Sequence, residues 1–260
     1  MHMKKERNKT SFEHIANLWD TKIGDTLAHK PLSNKSGSMK ITVDAVLGMV
    51  GTIKRKRLYE IACGNGFLSR YVVERGAREM YASDASTQLI HLAQTQYPTK
   101  GISYSVRSAT DFKGIPKNYF DAVVIHQGIF YIDDLDKLLR GVCGALKKGG
   151  VFVFTLIHPL YYVAQADIGE LGNLKEALEK YDHYLKDRLV KVEKKWDVNG
   201  KGEDVAYWQY KRPLSSYVNA CGKNGLFVSE IYEPATRIGK KGKIHRSGIP
   251  SSLIIKAVKM

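Results

Sequence analysis

From residue 57 onward, short apolar runs alternate with segments whose apolar positions recur at helical spacing, the pattern of strands interleaved with amphipathic helices. Strands are expected at 57–62, 79–83, 102–107, 120–125 and 151–156. Helices are expected between them. Residues 67–75 carry Leu68, Tyr71 and Val72 on one face, 86–97 carry Leu89, Ile90 and Ala93, and 134–146 carry Leu135, Leu138, Leu139 and Val142. Ser86 and Asp133 suit N-caps, and Lys147-Lys148-Gly149-Gly150 suits the end of the third helix, with cations and a left-handed-capable glycine. Such βα alternation builds a mostly parallel sheet.

Outside that block the pattern changes twice. Residues 12–19 and 39–50 read as two helices separated by a polar stretch, an N-terminal helical lid over 1–50. After His158-Pro159 the alternation stops, and 159–212 reads as a cap insertion. Leu171, Leu174, Leu178, Tyr181 and Leu185 give 169–189 helical spacing, and Asn199-Gly200 marks a hairpin between two aromatic strands. A helix at 214–221 and strands at 226–232 and 252–258 then complete the sheet within 213–260. The expected organisation is lid 1–50, core 51–158, cap 159–212 and completion 213–260.

Composition narrows the setting. With 260 residues and 43 % apolar content, one core can be buried, and no apolar stretch is long enough to span a membrane. Cys63, Cys143 and Cys221 lie far apart, with no pair spaced for a metal or a disulfide framework, so no metal site and a reducing cytoplasm are expected. The net charge of +15 is concentrated at the ends. Residues 1–57 hold 12 Lys and Arg against 5 Asp and Glu, and 236–260 hold 7 against none. That basicity is either solvated surface or a rim for an anionic small molecule or RNA.

The chemistry concentrates at Glu60-Ile61-Ala62-Cys63-Gly64-Asn65-Gly66, a glycine turn between the first strand and its helix. Asp84 ends the second strand 18 residues after Gly66, where a carboxylate can accept from ribose hydroxyls. A dinucleotide fingerprint wants glycine where Ser69 stands, so that reading fits poorly.

With Ser83-Asp84-Ala85-Ser86, Ser108-Ala109-Thr110-Asp111-Phe112, Leu146-Lys147-Lys148-Gly149-Gly150, His158-Pro159 and Arg212-Pro213-Leu214-Ser215 following in order, the chain resembles the class I S-adenosylmethionine-dependent methyltransferases. Within them it is similar to the small-molecule branch related to the quinone-biosynthesis enzymes. The resemblance implies a Rossmann-like, seven-stranded, mostly parallel sheet and S-adenosyl-L-methionine as cofactor. It implies that Gly64 and Gly66 let the backbone approach the ligand, that Glu60 meets its amino group directly or through water, and that Asp84 takes both ribose hydroxyls. Ala85 and Leu89 would contact the adenine, Ala109 and Thr110 its exocyclic amine, and His126 and Gln127 would flank the sulfonium and amino-acid tail, with Tyr131 near the methyl.

The family often carries Asp where Ser108 stands, which passes the amine to Thr110 or Asp111. It often carries Gly where Ala62 stands, which implies a less open turn.

Methyl transfer needs alignment more than covalent help, and a base only for a protonated acceptor. His158 is the candidate base, against a purely structural role. Trp19 and His29 in the lid and Tyr161, Tyr207 and Tyr210 in the cap would wall the acceptor, and Arg212 would pair with an anionic group or serve a structural ion pair. The expected function is methylation of an oxygen or nitrogen on a small anionic or aromatic metabolite. Two alternatives stand beside it, an RNA or tRNA methyltransferase using the basic termini and a non-catalytic S-adenosylmethionine-binding regulator.

Overall fold

The computed structural model describes residues 12–20, 37–158, 184, 186–198, 201–234, 237–238, 244–245, 250 and 252–260. His29, Tyr161 and most of the helical pattern in 169–189 lie outside the described residues.

Five strands, β1 (Arg57–Ile61), β2 (Glu79–Asp84), β3 (Ile102–Val106), β4 (Phe120–Ile125) and β5 (Leu146–Ile157), form the parallel block. The chain then makes an antiparallel hairpin, β6 (Arg188–Val198) and β7 (Lys201–Lys211). It continues through β8 (Leu226–Tyr232), the short pair β9 (Arg237–Ile238) and β10 (Ile244–His245), and β11 (Ser252–Lys259). The main sheet has 7 strands in the order β3-β2-β1-β4-β5-β11-β8. Only β11 is reversed, antiparallel to both β5 and β8. The order turns back between β2-β1 and β4, and ligands of open α/β sheets bind in the crevice beyond the strand ends at such a point.

Helices cover both faces. We number them α1 (residues 12–20), α2 (Gly37–Val50), α3 (Phe67–Glu74), α4 (Thr87–Thr95), α5 (Leu135–Ala145) and α6 (Leu214–Lys223). Side chains alternate across each strand, which divides the core in two. Tyr59, Ile61, Val123, Ile125, Phe152 and Phe154 pack with Leu138, Leu139 and Val142 of α5 and Tyr217 of α6. Leu58, Ala122, Val124, Val153 and Ile254 pack with Val43 and Val46 of α2 and Leu68 and Val72 of α3. Full burial of a Leu, Val or Phe side chain is worth roughly 1.5–3 kcal/mol, so this double layer dominates the stability of the sheet.

Three local expectations are corrected. Lys147-Lys148-Gly149-Gly150 does not end a helix: α5 stops at Ala145, Leu146 is extended at φ −69° and ψ 144°, and β5 begins there. Because Phe120 pairs with Leu146 while Ala122 pairs with Val151, residues 147–150 bulge out of the ladder. Lys147 then reaches Asp121 Oδ1 at 2.8 Å. The N-cap of α5 is Asp134, which accepts from Lys137 N at 2.8 Å, rather than Asp133. The helical spacing expected through Leu189 overruns, because β6 already begins at Arg188.

The hairpin register closes at Val198↔Lys201, leaving a two-residue connection where Asn199-Gly200 stands. Val205 and Tyr207 of β7 pack on Ile15 and Leu18 of α1. Segments far apart in sequence thus meet above the carboxyl ends of β1 and β4.

Candidate active site

The site begins where β1 ends. Ala62, Gly64 and Gly66 take left-handed φ values of 56°, 56° and 75°, which turn the chain sharply between β1 and α3. Ala62 thus holds a left-handed conformation that glycine adopts more readily. At Gly66 a side chain would be strained by the backbone and would have to displace Tyr104, since a Cβ there would fall 2.2 Å from Tyr104 Oη.

Asp84, at the end of β2, accepts from Gly64 N through Oδ2 and from Ser86 N through Oδ1, both at 2.9 Å. A carboxylate has about four acceptor sites, so two backbone donors leave capacity for a diol. Burial raises the Asp84 pKa, and the amides of Ser86 and Gly64 oppose that rise. Glu60 is 2 % exposed and accepts from Ser69 Oγ. Ser69, which broke the dinucleotide pattern, is thus the partner of the buried acid.

Most of this turn and the two acids border a cavity of about 590 Å³, whereas Gly66, expected beside the ligand, is not part of its lining. Its lining includes Glu60, Ala62, Gly64, Asp84, Ala85 and Leu89 on one side. Ala109 and Thr110 follow β3, and Ser108 Oγ lies 3.3 Å from Thr110 Oγ1. Asp111 instead accepts from Lys113 N at 3.0 Å and does not line the cavity, which leaves Thr110 there.

His126, Gln127 and Tyr131 line the side beyond β4. His126 Nε2 meets Thr42 Oγ1 of α2 at 3.1 Å, and burial lowers its pKa to about 4, so the ring is neutral near pH 7. Gln127 has φ 55°, and its backbone N–H donates to Thr155 Oγ1 at 2.6 Å.

The roof is aromatic. Phe12 and Trp19 of α1 line the cavity together with Phe130, Tyr131, Tyr207 and Tyr210. Phe12 lies 4.7 Å from Tyr131 and 5.8 Å from Trp19 between ring centroids, and Tyr131 lies 5.8 Å from Tyr207, all edge to face. Asp20 Oδ1 accepts from Asn65 Nδ2 at 2.7 Å, tying this roof to the glycine turn.

A domain match now bears on this geometry. The family described as Methyltransferase domain matches residues 59–154, from β1 through most of β5. With the reversed seventh strand, the glycine turn and the strand-end acid, the assignment follows. Residues 59–154 form a methyltransferase domain, and the fold is the Rossmann-like one of the class I S-adenosylmethionine-dependent enzymes.

Among proteins similar to this methyltransferase is a ubiquinone biosynthesis O-methyltransferase from Xanthomonas axonopodis pv. citri, 28 % identical over 70 % of this chain and 74 % of that one. Among solved structures, an S-adenosylmethionine-dependent methyltransferase described as such from Listeria monocytogenes aligns at TM-score 0.61 and 21 % identity, covering 85 % of this chain and 98 % of that one. Magnesium protoporphyrin IX methyltransferase from Synechocystis PCC 6803, with bound S-adenosylmethionine, aligns at TM-score 0.58 and 14 % identity over 97 % and 95 %.

Two residues of this methyltransferase expected at the acceptor stand away from the cavity lining. His158 is 5 % exposed, and its Nε2 meets Glu233 Oε1 at 3.0 Å; the lining includes its neighbour Ile157 but not His158. Arg212 lies behind Tyr210, its guanidinium 4.3 Å from the ring centroid, and donates to Asp133 O at 2.7 Å with Asp187 Oδ2 3.5 Å from its Nε. Its geometry is that of the structural ion pair.

Sequence reasoning missed Phe12, Phe130, Arg107 and Lys195 as lining residues. Phe12 had a readable signal, since it shares a helical face with Ile15 and Trp19. Lys195 had none, because its place depends on how the hairpin docks.

Proposed function

We propose that this methyltransferase acts on an oxygen or nitrogen of a small, flat, aromatic acceptor bearing an acidic group. The aromatic roof carries this reading: rings from α1, the β4 exit and β7 meet edge to face over one cavity, and Lys195 offers a cation at its hairpin side. Such a chamber favours a planar ligand by stacking and excludes one too large to enclose.

The cofactor, when bound, supplies an electrophilic methyl on a sulfonium sulfur. In this reading Asp84 receives the ribose hydroxyls, Gly64 keeps the backbone low enough for close approach, and Ala85 and Leu89 flank the adenine. Thr110 meets the adenine amine, while His126 and Gln127 border the amino-acid tail. Tyr131 and Tyr207 hold the acceptor so that its nucleophilic atom, the methyl and the sulfur are in line, and alignment supplies most of the rate. His158, paired with Glu233, acts by positioning the end of β5, where Ile157 borders the cavity.

The test is transfer of labelled methyl to a panel of small phenols and aromatic acids, repeated with two variants. Asp84→Ala should raise the cofactor KM at least tenfold. His158→Gln should lower kcat only a few-fold, whereas loss of a general base costs about 10²–10⁴. No transfer to any panel member would remove the acceptor assignment, and a loss of the larger size would make His158 the base.

A further inference from the structure

We infer that Glu60 stands in this fold as a neutral carboxylic acid paired with Ser69, and that a ligand ammonium entering the cavity beside it displaces its proton to solvent. The site thereby selects a cationic ligand and couples its binding to proton release. This rests on the cofactor reading above.

The geometry leaves the carboxyl without a resident cation. Glu60 lies on β1, is 2 % exposed, and takes its hydrogen bonding from Ser69 on α3, whose hydroxyl donates to Oε2. The nearest cation acting on it is Arg70 of α3, and that guanidinium is engaged elsewhere. Arg70 Nη1 donates to Asn65 O at 2.6 Å, and the group lies over the Tyr97 ring at 4.5 Å. Among the described residues no Lys, Arg or His forms an ion pair with Glu60.

The other ionisable groups around it also disfavour a carboxylate. Asp84 from β2 adds negative charge nearby. Cys63 in the turn and Tyr104 from β3 remain uncharged, because burial pushes the pKa of each upward. Burial is the largest effect on Glu60 itself and raises its pKa to about 8, against the opposing pull of Ser69 and Arg70. An unpaired buried carboxylate is costly enough that the group takes a proton instead. Yet Glu60 borders the cavity, so an ammonium can reach it there.

The exchange balances simply. The carboxylic acid and the incoming ammonium become a carboxylate–ammonium pair, and one proton passes to water. Binding lowers the Glu60 pKa, so affinity must rise with pH until the free protein is itself ionised.

Calorimetry with S-adenosylhomocysteine tests this in phosphate and in Tris at pH 7, where the difference in observed heat counts protons. A group with a pKa near 8 is about 90 % protonated at that pH, so release of about 0.9 proton is expected. Affinity should rise by close to tenfold per unit between about pH 6 and 7 and level off above 8. Ser69→Ala removes a bond that favours the ionised form and should move the levelling to higher pH. Glu60→Gln should abolish proton release. The ligand 5′-methylthioadenosine, which lacks the ammonium, should bind both wild type and Glu60→Gln without releasing a proton.

Failure of S-adenosylhomocysteine to bind would overturn the cofactor reading. Binding with equal heats in both buffers, or proton release that persists in Glu60→Gln, would overturn the proton exchange alone. Ser69→Ala keeps the question decidable if Glu60→Gln does not fold.

Discussion

Ala62 holds a left-handed backbone conformation that costs an L-residue about 1–2 kcal/mol. Its methyl is accommodated by the absence of one on Gly128, since a Cβ at Gly128 would lie 2.8 Å from Ala62 Cβ and 3.2 Å from Ile125 Cγ2. The first of these atoms is fixed by the backbone and cannot rotate away. Gly128→Ala is therefore expected to destabilise the protein by about 1–3 kcal/mol, as overpacking does. Ala62→Gly added to it should restore most of that loss, because it removes both the clash and the left-handed strain. Thermal melts of the two single variants and the double variant close the cycle, and a double variant no more stable than Gly128→Ala would break the coupling. None of this pairing was legible in the sequence. The residues are 66 positions apart, and only the approach of the β4 exit to the glycine turn brings them together.

Helix α1 is fastened by a carboxylate beside each of its cavity-lining aromatics. Next to Phe12, Glu13 accepts from Thr87 N at 2.6 Å and from Gln88 N at 3.1 Å, at the start of α4. Next to Trp19, Asp20 accepts from Asn65 Nδ2 at 2.7 Å and from Tyr97 Oη at 3.1 Å. An acid at a helix N-terminus is favoured by the orphan amides and the helix dipole. Replacing both carboxylates, Glu13→Ala with Asp20→Ala, should speed dissociation of S-adenosylhomocysteine several-fold in stopped-flow fluorescence while the melting temperature of the sheet domain changes little. An unchanged dissociation rate would mean that α1 does not retain the ligand. Burial pushes the Glu13 pKa up, but the amides of Thr87 and Gln88 outweigh it and hold it below its ordinary 4.5. A depressed pKa means that this fastening is present above pH 4.5 and fades as pH falls through the lower folded value. At the scale of elements the sequence was readable where period and caps agreed: β4 matches its expected span, and Ser86 caps α4 as expected. It misled at Lys147-Lys148-Gly149-Gly150, where helix-ending residues serve a strand bulge, because both structures use the same glycine freedom.

Across the whole molecule, charge and enclosure bear on the kind of acceptor. Residues 58–158, which form the cofactor-binding strands, carry 11 Lys and Arg against 9 Asp and Glu, so the excess cations belong to the terminal segments. The cavity itself is roofed by α1, the β4 exit and β7, and among the described residues its cations are Arg107 and Lys195. Arg107 is already turned to its own loop, donating to Lys113 O at 2.8 Å. A small acid meeting Lys195 exchanges few counterions, so its kcat/KM should fall by less than about tenfold between roughly 50 and 200 mM salt. An RNA bound along basic termini through about 6–10 phosphates would lose about 10³–10⁵ in affinity over the same range. Following labelled methyl into total tRNA and into the preferred small acceptor at both salt concentrations separates the two. The enclosed roof predicts label in the small acceptor at either salt, and none in tRNA beyond a salt-labile background. Transfer to tRNA that exceeded the small-molecule rate at the higher salt would mean that the terminal charge, and not the aromatic chamber, chooses the substrate.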